Sequence, residues 1–588
     1  MDKPVRTKIV CTIGPAVSSL EKLRELIRAG MNVARLNFSH GTHAEHLRVI
    51  EEIKKARELE DIPLAIMLDT KGPEIRLGKI EGEGIYLPAG HRWHLVAEEV
   101  VGNMERVTIR PPFILHKLKP GMRILFDDGY IVAQVIETTG EGVIVEIEIP
   151  GTIRSGKGVN VPNENLGLPY VTEKDIEDIK FGCLHDVDMI AASFIRSADQ
   201  VAAIKELLMD EGKGNILILA KIENEEGIKN FDSIVQIADG VIIARGDLGV
   251  EVSQSHVPRL QKMMIRKSTL VGKPTITATQ MLESMIYNPR PTRAETSDVA
   301  NAIYDGTSAV MLSGETAIGK YPIETVKMMR QIIRDTEEDC DFYEFFKRYS
   351  AVSYNDVTSS ITLSAVNAAY ATDAKAIFAF TEGGATARLI SRFHPKMPII
   401  AMTSSYKCYH QLSLSWGVVP FFSRKEATLE DAFEVISKFG MESKLVCYGD
   451  LVVLTAGSPF GVMGTTNTMM VDHIGDVLVQ GHEGTGVRVH GNVAMALRAD
   501  GQNPWIYRNK LIVLTRCDES CLPLIKEAMG VILQNHIDDV ASEKICLQLA
   551  KDCHKTAIVR ADAAVTTLKE GQLVTIDPDR AQIYKGVK

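Results

Sequence analysis

Ile216-Leu217-Ile218-Leu219-Ala220-Lys221-Ile222-Glu223 is an unbroken apolar run that ends in opposite charges. A short helical stretch later, Val241-Ile242-Ile243-Ala244 ends in Arg245-Gly246-Asp247. Continuous apolar runs of this kind mark strands buried on both faces, as in parallel sheets. Similar runs occur at Thr7–Cys11, Asn32–Leu36, Leu64–Leu68, Val187–Ser193, Pro274–Ala278 and Ser308–Leu312. Helix-like patterns such as Leu20–Ala29, Asp199–Met209 and Arg259–Leu270 lie between them. Eight βα units predict an α/β fold built on a (β/α)8 barrel, with its site at the carboxyl ends of the strands. Those ends are polar: Arg35 and Asn37, Asp69, Ser193, Lys221 and Glu223, Asp247, Thr279, Ser313. A barrel shaped for stability alone has no need of polar groups at nearly every strand exit.

The third unit is interrupted. From Thr70 to Leu168 the chain reads as short strands and turns, with a turn signal at Asp127-Asp128-Gly129 and alternation over Val143–Ile149. That is far longer than a loop. It predicts an inserted β-barrel domain, residues 70–168, acting as a lid over a catalytic barrel of residues 1–69 and 169–340. A separate α/β unit covers 341–476, with strands at Ala376–Thr381, Met397–Met402 and Leu451–Thr455. A last domain covers 477–588, where Lys510–Thr515 and Thr556–Val559 are strand-like.

At 588 residues several cores are expected. The net charge of −10 argues against a nucleic-acid or anionic-membrane surface. There is no apolar run long enough to span a bilayer, and Met1-Asp2-Lys3-Pro4 opens no signal peptide. The nine Cys lack paired spacing and read as reduced structural thiols of a cytoplasmic protein.

Glu223 and Asp247, on neighbouring strand ends, can share a divalent cation, although a salt-bridged rim has the same composition. Lys221 lies on the same side of the strand as Glu223 and can stabilise enolate charge or simply pair with Glu223. Gly246 lets backbone amides approach an anion. In Val33–Gly41, Arg35 is a fork for phosphate or carboxylate, and Asn37 and Ser39 offer neutral oxygens for a hard cation. His40 fits a hydrogen-bonded loop histidine. Asp69 and Thr70 add oxygens, and Arg76 follows at the start of the insert. Thr279 ends a buried strand in a hydroxyl. Gly314-Glu315-Thr316-Ala317-Ile318-Gly319-Lys320-Tyr321 nearly fits a phosphate loop, but Tyr321 stands where a small hydroxyl is needed and Glu315 would face phosphate. It is rejected.

Taken together, Asn32–Gly41, Leu68–Arg76, Ala220–Gly227, Ala244–Val250 and Thr275–Met281 closely resemble the pyruvate kinase family, with support from Asn288–Glu295 and Met311–Thr316. The resemblance implies phosphoryl transfer from phosphoenolpyruvate to ADP, giving pyruvate and ATP. By position, Glu223 and Asp247 match divalent-metal ligands (Mg²⁺ or Mn²⁺), and Asn37, Ser39, Asp69 and Thr70 match K⁺ ligands. Lys221, Arg76 and Thr279 match catalytic positions. Arg35, Lys221, Gly246, Asp247 and Thr279 match the substrate-binding set, while Asn37, His40, Arg76 and Lys157 match positions near the nucleotide. Glu74 matches the potassium-dependent branch.

The resemblance further implies a homotetramer and a regulatory α/β domain. There Thr381, Gly383, Gly384 and Thr386 would cradle the phosphate of a small-molecule activator at a helix start, with Thr465–Thr468 on the facing loop. Glu382 and Ala385 leave that loop without a cation. The last domain is similar to the swivelling phosphohistidine domain of phosphoenolpyruvate-utilising enzymes. It lacks the Thr-Ser-His run, with Ile545 at the His position, and so reads as a packing or assembly module. The alternative from another class is a metal-dependent carbon–carbon lyase acting on a pyruvate enolate.

Overall fold

The computed structural model describes residues 5–162, 164, 166–351, 356–424, 426, 428–458, 466–499 and 501–587. Thr465 lies outside them. Eight parallel strands, Lys8–Thr12, Val33–Asn37, Ala65–Asp69, Met189–Ala192, Leu217–Ile222, Gly240–Ala244, Thr275–Ala278 and Ala309–Leu312, close into a barrel in chain order. The last strand returns to the first through the pairing of Lys8 with Ala309. Every apolar run read as a barrel strand is one, with ends displaced by a residue or two.

Alternation along these strands separates two cores. Val10, Val33, Met67, Ala191, Leu219, Ile242 and Ile276 belong to one, which fills the barrel. Ile9, Cys11, Ala34, Leu68, Ile190, Ile218 and Ile243 belong to the other, against the surrounding helices. Strand side chains repeat with period two. The inward parity therefore runs on past the apolar layers, from Val10 to Thr12, Val33 to Arg35, Met67 to Asp69, Ala191 to Ser193, and Leu219 to Lys221. One geometric rule thus sets five polar side chains above the barrel core. Thr-led capping boxes start three of the outer helices, at Thr42, Thr172 and Thr292, and sharpen the turn from loop to helix.

The interruption is a β domain. Its seven-stranded sheet includes the hairpin Arg123–Phe126 and Ile131–Thr138. The turn between them runs through Asp127, Asp128 and Gly129 at φ of 51°, 55° and 85°, a left-handed stretch that Asp and Gly tolerate better than other residues. A core of its own, around Trp93, Phe126 and Val145, holds the domain together.

The chain divides into two compact units. The first, Met1–Val366 with Ala379–Glu426 and Thr455–Thr468, joins the barrel to part of the α/β segment. There the strands Ile399–Thr403 and Val418–Phe422 pair in parallel. Leu414 joins the interior barrel core, and Lys8 Nζ donates to Val418 O at 2.8 Å. The second unit, Asn367–Phe378 with Ala427–Leu454 and Met469–Lys588, carries an eight-stranded sheet. Its four middle strands, Val489–Leu497, Leu511–Leu514, Gly530–Leu533 and Thr556–Val559, run parallel. Ile545 packs against that unit's apolar core. Among the described residues no helix is long and apolar enough to cross a membrane.

His394 is buried within the α/β segment. Its ring stacks on Trp416, with centroids 3.9 Å apart, and on Phe345 at 4.3 Å. Burial, with Arg6 nearby, pushes its pKa down from 6.5 to about 3. The unfolded chain therefore binds a proton that the folded chain refuses, and stability falls as pH drops below about 6.5 towards 3. His394→Phe keeps an aromatic ring in the stack and removes the proton. Its thermal midpoint should fall less than the wild type's between about pH 7 and about pH 5. Equal falls would assign the acid sensitivity elsewhere.

Candidate active site

Asp69 is the hub of the polar layer. One oxygen accepts from Arg35 Nε at 2.5 Å; the other faces Lys221 Nζ and Ser193 Oγ, each at 3.2 Å. Arg35 also donates to Thr12 Oγ1 at 2.8 Å. Burial alone would raise the Asp69 carboxyl, but Arg35 and Lys221 outweigh it and hold it below the usual range. Lys221 is desolvated too, yet Asp69 and Glu223 raise its pKa above the ordinary lysine value.

Glu223 behaves differently. Its Oε1 lies 3.0 Å from Lys221 Nζ, and its Oε2 accepts the Phe194 amide at 2.6 Å. Burial pushes its pKa up to about 7; Lys221 opposes this, and the charge of Asp247 adds to it. Glu223 and Asp247 are thus like charges at neighbouring strand exits, one of them buried, and a cation between them would relieve both. No group of three or more His, Cys, Asp or Glu side chains is arranged to hold a metal among the described residues, so water and substrate would complete such a shell.

Thr279 and Gln280 have φ of 68° and 56°, conformations costly for residues other than glycine. Arg245 holds the bend, donating to Thr279 O at 2.8 Å while Asp298 clamps its guanidinium at 2.7 Å. The Gly246 amide, expected to face an anion, donates to Thr279 Oγ1 at 2.8 Å. The bend lifts that hydroxyl onto the start of the helix Arg245–Glu251.

Between the barrel mouth and the inserted domain lies a cleft of about 440 Å³ lined by Arg76, Asp128, Lys157, Asn160, Asp247 and Glu251. Glu74 grips Arg76 with both oxygens, at 2.6 and 3.0 Å, and Lys157 pairs with Asp127 at 2.7 Å. Asn160 donates to Glu251 at 2.8 Å, tying the lid to the helix that carries Asp247. Asn37 and Asp69 are register partners on adjacent strands, and beside them Ser193 donates its amide to Thr70 Oγ1 and its hydroxyl to Thr70 O. Ser39 donates its amide to Asn37 Oδ1. His40 is not brought into this group: its side chain is exposed and does not line the cleft.

Strand parity already implied Ser193 and Thr12, which the sequence reading left without a role. Arg245 with Asp298, 53 residues apart, had no sequence signal. The rejected phosphate loop is a brace, since buried Glu315 accepts the amides of Ser313 at 2.7 Å and Leu282 at 3.2 Å. At the other loop, Thr386 Oγ1 meets Thr466 Oγ1 at 2.5 Å, and Ser404 Oγ reaches both oxygens of Glu382. Thr466 opens a strand, Thr466–His473, where a loop was expected.

A (β/α)8 barrel whose strand rim gathers Arg35, Lys221, Asp69, Glu223 and Asp247, with Arg76 and Lys157 across the cleft on the inserted domain, has the charge arrangement that phosphoryl chemistry calls for. The family model for the pyruvate kinase barrel domain matches residues 5–326, and that for the pyruvate kinase alpha/beta domain matches 359–472. A pyruvate kinase of Geobacillus stearothermophilus is 42% identical over 584 residues, covering 99% of each chain. Those of Sporosarcina psychrophila and Staphylococcus aureus (strain MRSA252) are each 41% identical at the same coverage. The chain belongs to the pyruvate kinase family. It is an enzyme that transfers the phosphoryl group of phosphoenolpyruvate to ADP, with a divalent metal required. The lyase alternative finds no support among these relatives.

If Glu315 is a brace, Glu315→Ala strands two buried amides at about 1–3 kcal/mol each. The thermal midpoint should drop while the KM for ADP stays within about twofold. An unchanged midpoint with a raised KM would restore a phosphate-binding role.

Proposed function

We propose that Glu223 and Asp247 hold the divalent metal, Mg²⁺ or Mn²⁺, and that Lys221 is the group that stabilises charge on the enolate and the transferring phosphoryl. The observation that carries this is the Lys221–Glu223 contact at 3.0 Å, with Asp247 near enough to perturb both. When bound, the metal neutralises negative charge shared between phosphoryl and enolate oxygens.

Arg35 and Lys221, fixed by Asp69, present cationic donors that need no reorganisation as charge develops. An incoming carboxylate takes over the Gly246 N–H that now donates to Thr279 Oγ1 and the Thr279 O–H that now donates to Ala278 O. Thr279, through ordered water, lies on the side from which the enolate takes its proton. Arg76 and Lys157, both on the inserted domain, face the ADP phosphates. The Asn160–Glu251 contact favours a closed lid that keeps water from the phosphoryl group. His40 joins the nucleotide set through the resemblance only.

Asn37, Ser39, Asp69 and Thr70 are proposed as K⁺ ligands; their adjacency at two strand exits supports it. Glu74 offsets the charge of Arg76, which leaves a monovalent cation to make up the positive charge. A phosphorylated activator at Thr381, Gly383, Gly384 and Thr386 would bind through neutral donors, because Glu382 places a carboxylate there. A homotetramer, a cytoplasmic location and a swivelling-domain origin for residues 477–588 belong to the same reading.

Lys221→Met should lower kcat roughly a hundred- to a thousandfold, with the KM for phosphoenolpyruvate little changed. A kcat within about tenfold of wild type would remove Lys221 from the chemistry. In a second assay at saturating Mg²⁺, activity should rise steeply with added K⁺. Indifference to K⁺ would discard the monovalent site.

A further inference from the structure

Ser193, just past the strand Met189–Ala192, is buried at the barrel rim and carries no charge. Lys221 Nζ donates to its Oγ at 2.8 Å. That Oγ in turn lies 2.7 Å from Thr70 O and 3.2 Å from Asp69 Oδ1. A hydroxyl has one proton, and the shorter contact takes it, so a lone pair is left facing Lys221. The Ser193 amide donates to Thr70 Oγ1 at 3.1 Å, which pins the residue by its backbone as well.

The next residues complete the grip. Phe194 has a φ of 55°, a conformation unfavourable for a bulky side chain. With that bend its amide reaches Glu223 Oε2 at 2.6 Å, and the Ile195 amide donates to Lys221 O at 3.3 Å. Ser193, Phe194 and Ile195 thus hold Lys221 by side chain and main chain, and Glu223 by its carboxylate. Gly72 (φ 72°) makes room for this turn, since a Cβ there would stand 2.8 Å from Phe194 Cδ2 and 2.9 Å from Ser193 Cβ.

An ammonium has three protons, and that of Lys221 meets Ser193 at 2.8 Å, Glu223 at 3.0 Å and Asp69 at 3.2 Å. Two of these partners are carboxylates, which anchor the charge but repel an anionic substrate. Ser193 is the neutral one, and it directs the flexible lysine stem without adding negative charge. We propose that Ser193 is a positioning residue for the phosphoryl transfer, acting through Lys221 by fixing the ammonium where charge develops. This rests on the reading of Lys221 as the charge-stabilising group. Preorganised donors act by not having to move, and a misplacement of about 1 Å lowers a rate roughly a hundredfold.

The test is a double-mutant cycle on the full-length enzyme at saturating Mg²⁺, K⁺ and ADP, with phosphoenolpyruvate varied. It compares wild type, Ser193→Ala, Lys221→Met and the double variant. Ser193→Ala should lower kcat about ten- to a hundredfold, with the KM for phosphoenolpyruvate within about threefold of wild type. In the Lys221→Met background the same change should alter kcat by less than about twofold, because the group it serves is gone. A loss of equal size in both backgrounds overturns the proposal and makes Ser193 a structural residue. So does an unchanged kcat in the single variant, or a raised KM with kcat kept, which would place Ser193 on the substrate. Should Ser193→Ala fail to fold, Ser193→Cys, of similar shape but a weak acceptor, runs the same cycle. A kcat for Lys221→Met within about tenfold of wild type removes the reading of Lys221, and the proposal with it. That single arm tells the two failures apart.

Discussion

The buried carboxylate of Asp69, held between Arg35 and Lys221, is the constraint on which the site depends. It ties together the exits of the second, third and fifth barrel strands, which are far apart in the chain. Removing one member of such a buried set leaves an uncompensated charge, at about 3–5 kcal/mol. The same pairing keeps Lys221 charged, and holds both Arg35 and Lys221 in place, before any substrate arrives. Preorganisation of this kind is what phosphoryl transfer asks of a protein, because the covalent chemistry lies in the substrates.

Around that hub, each further element answers a charge. Glu223 and Asp247 leave unbalanced negative charge at neighbouring strand exits, which suits a divalent metal. The lid adds Arg76 and Lys157, one gripped by Glu74 and the other by Asp127. The Arg245–Asp298 clamp fixes the unfavourable backbone at Thr279.

Much of this was legible in the sequence. The eight apolar runs announced the barrel, because a strand buried on both faces must be apolar throughout, and the charges that end them marked the rim. Lys221 and Glu223 share a side at spacing two, so their contact followed from parity. Contacts between distant segments were not legible. Nothing local reveals that Asp298 clamps Arg245, that the Phe194 amide feeds Glu223, or that Glu315 braces two mouth loops. Nor was the acceptor of the Gly246 amide legible, since Thr279 comes from the next strand and a left-handed bend.

By itself, the sequence determined which residues point inward and which types of group crown the barrel, because period-two alternation and apolar continuity are local properties. The closure of the barrel decided who meets whom. Only when the strands are rolled together does Asp69 become shared by Arg35 and Lys221, and only then does the charge of Asp247 act on Glu223. Charges separated along the chain interact according to their distance in space and the dielectric around them, and both are properties of the folded state.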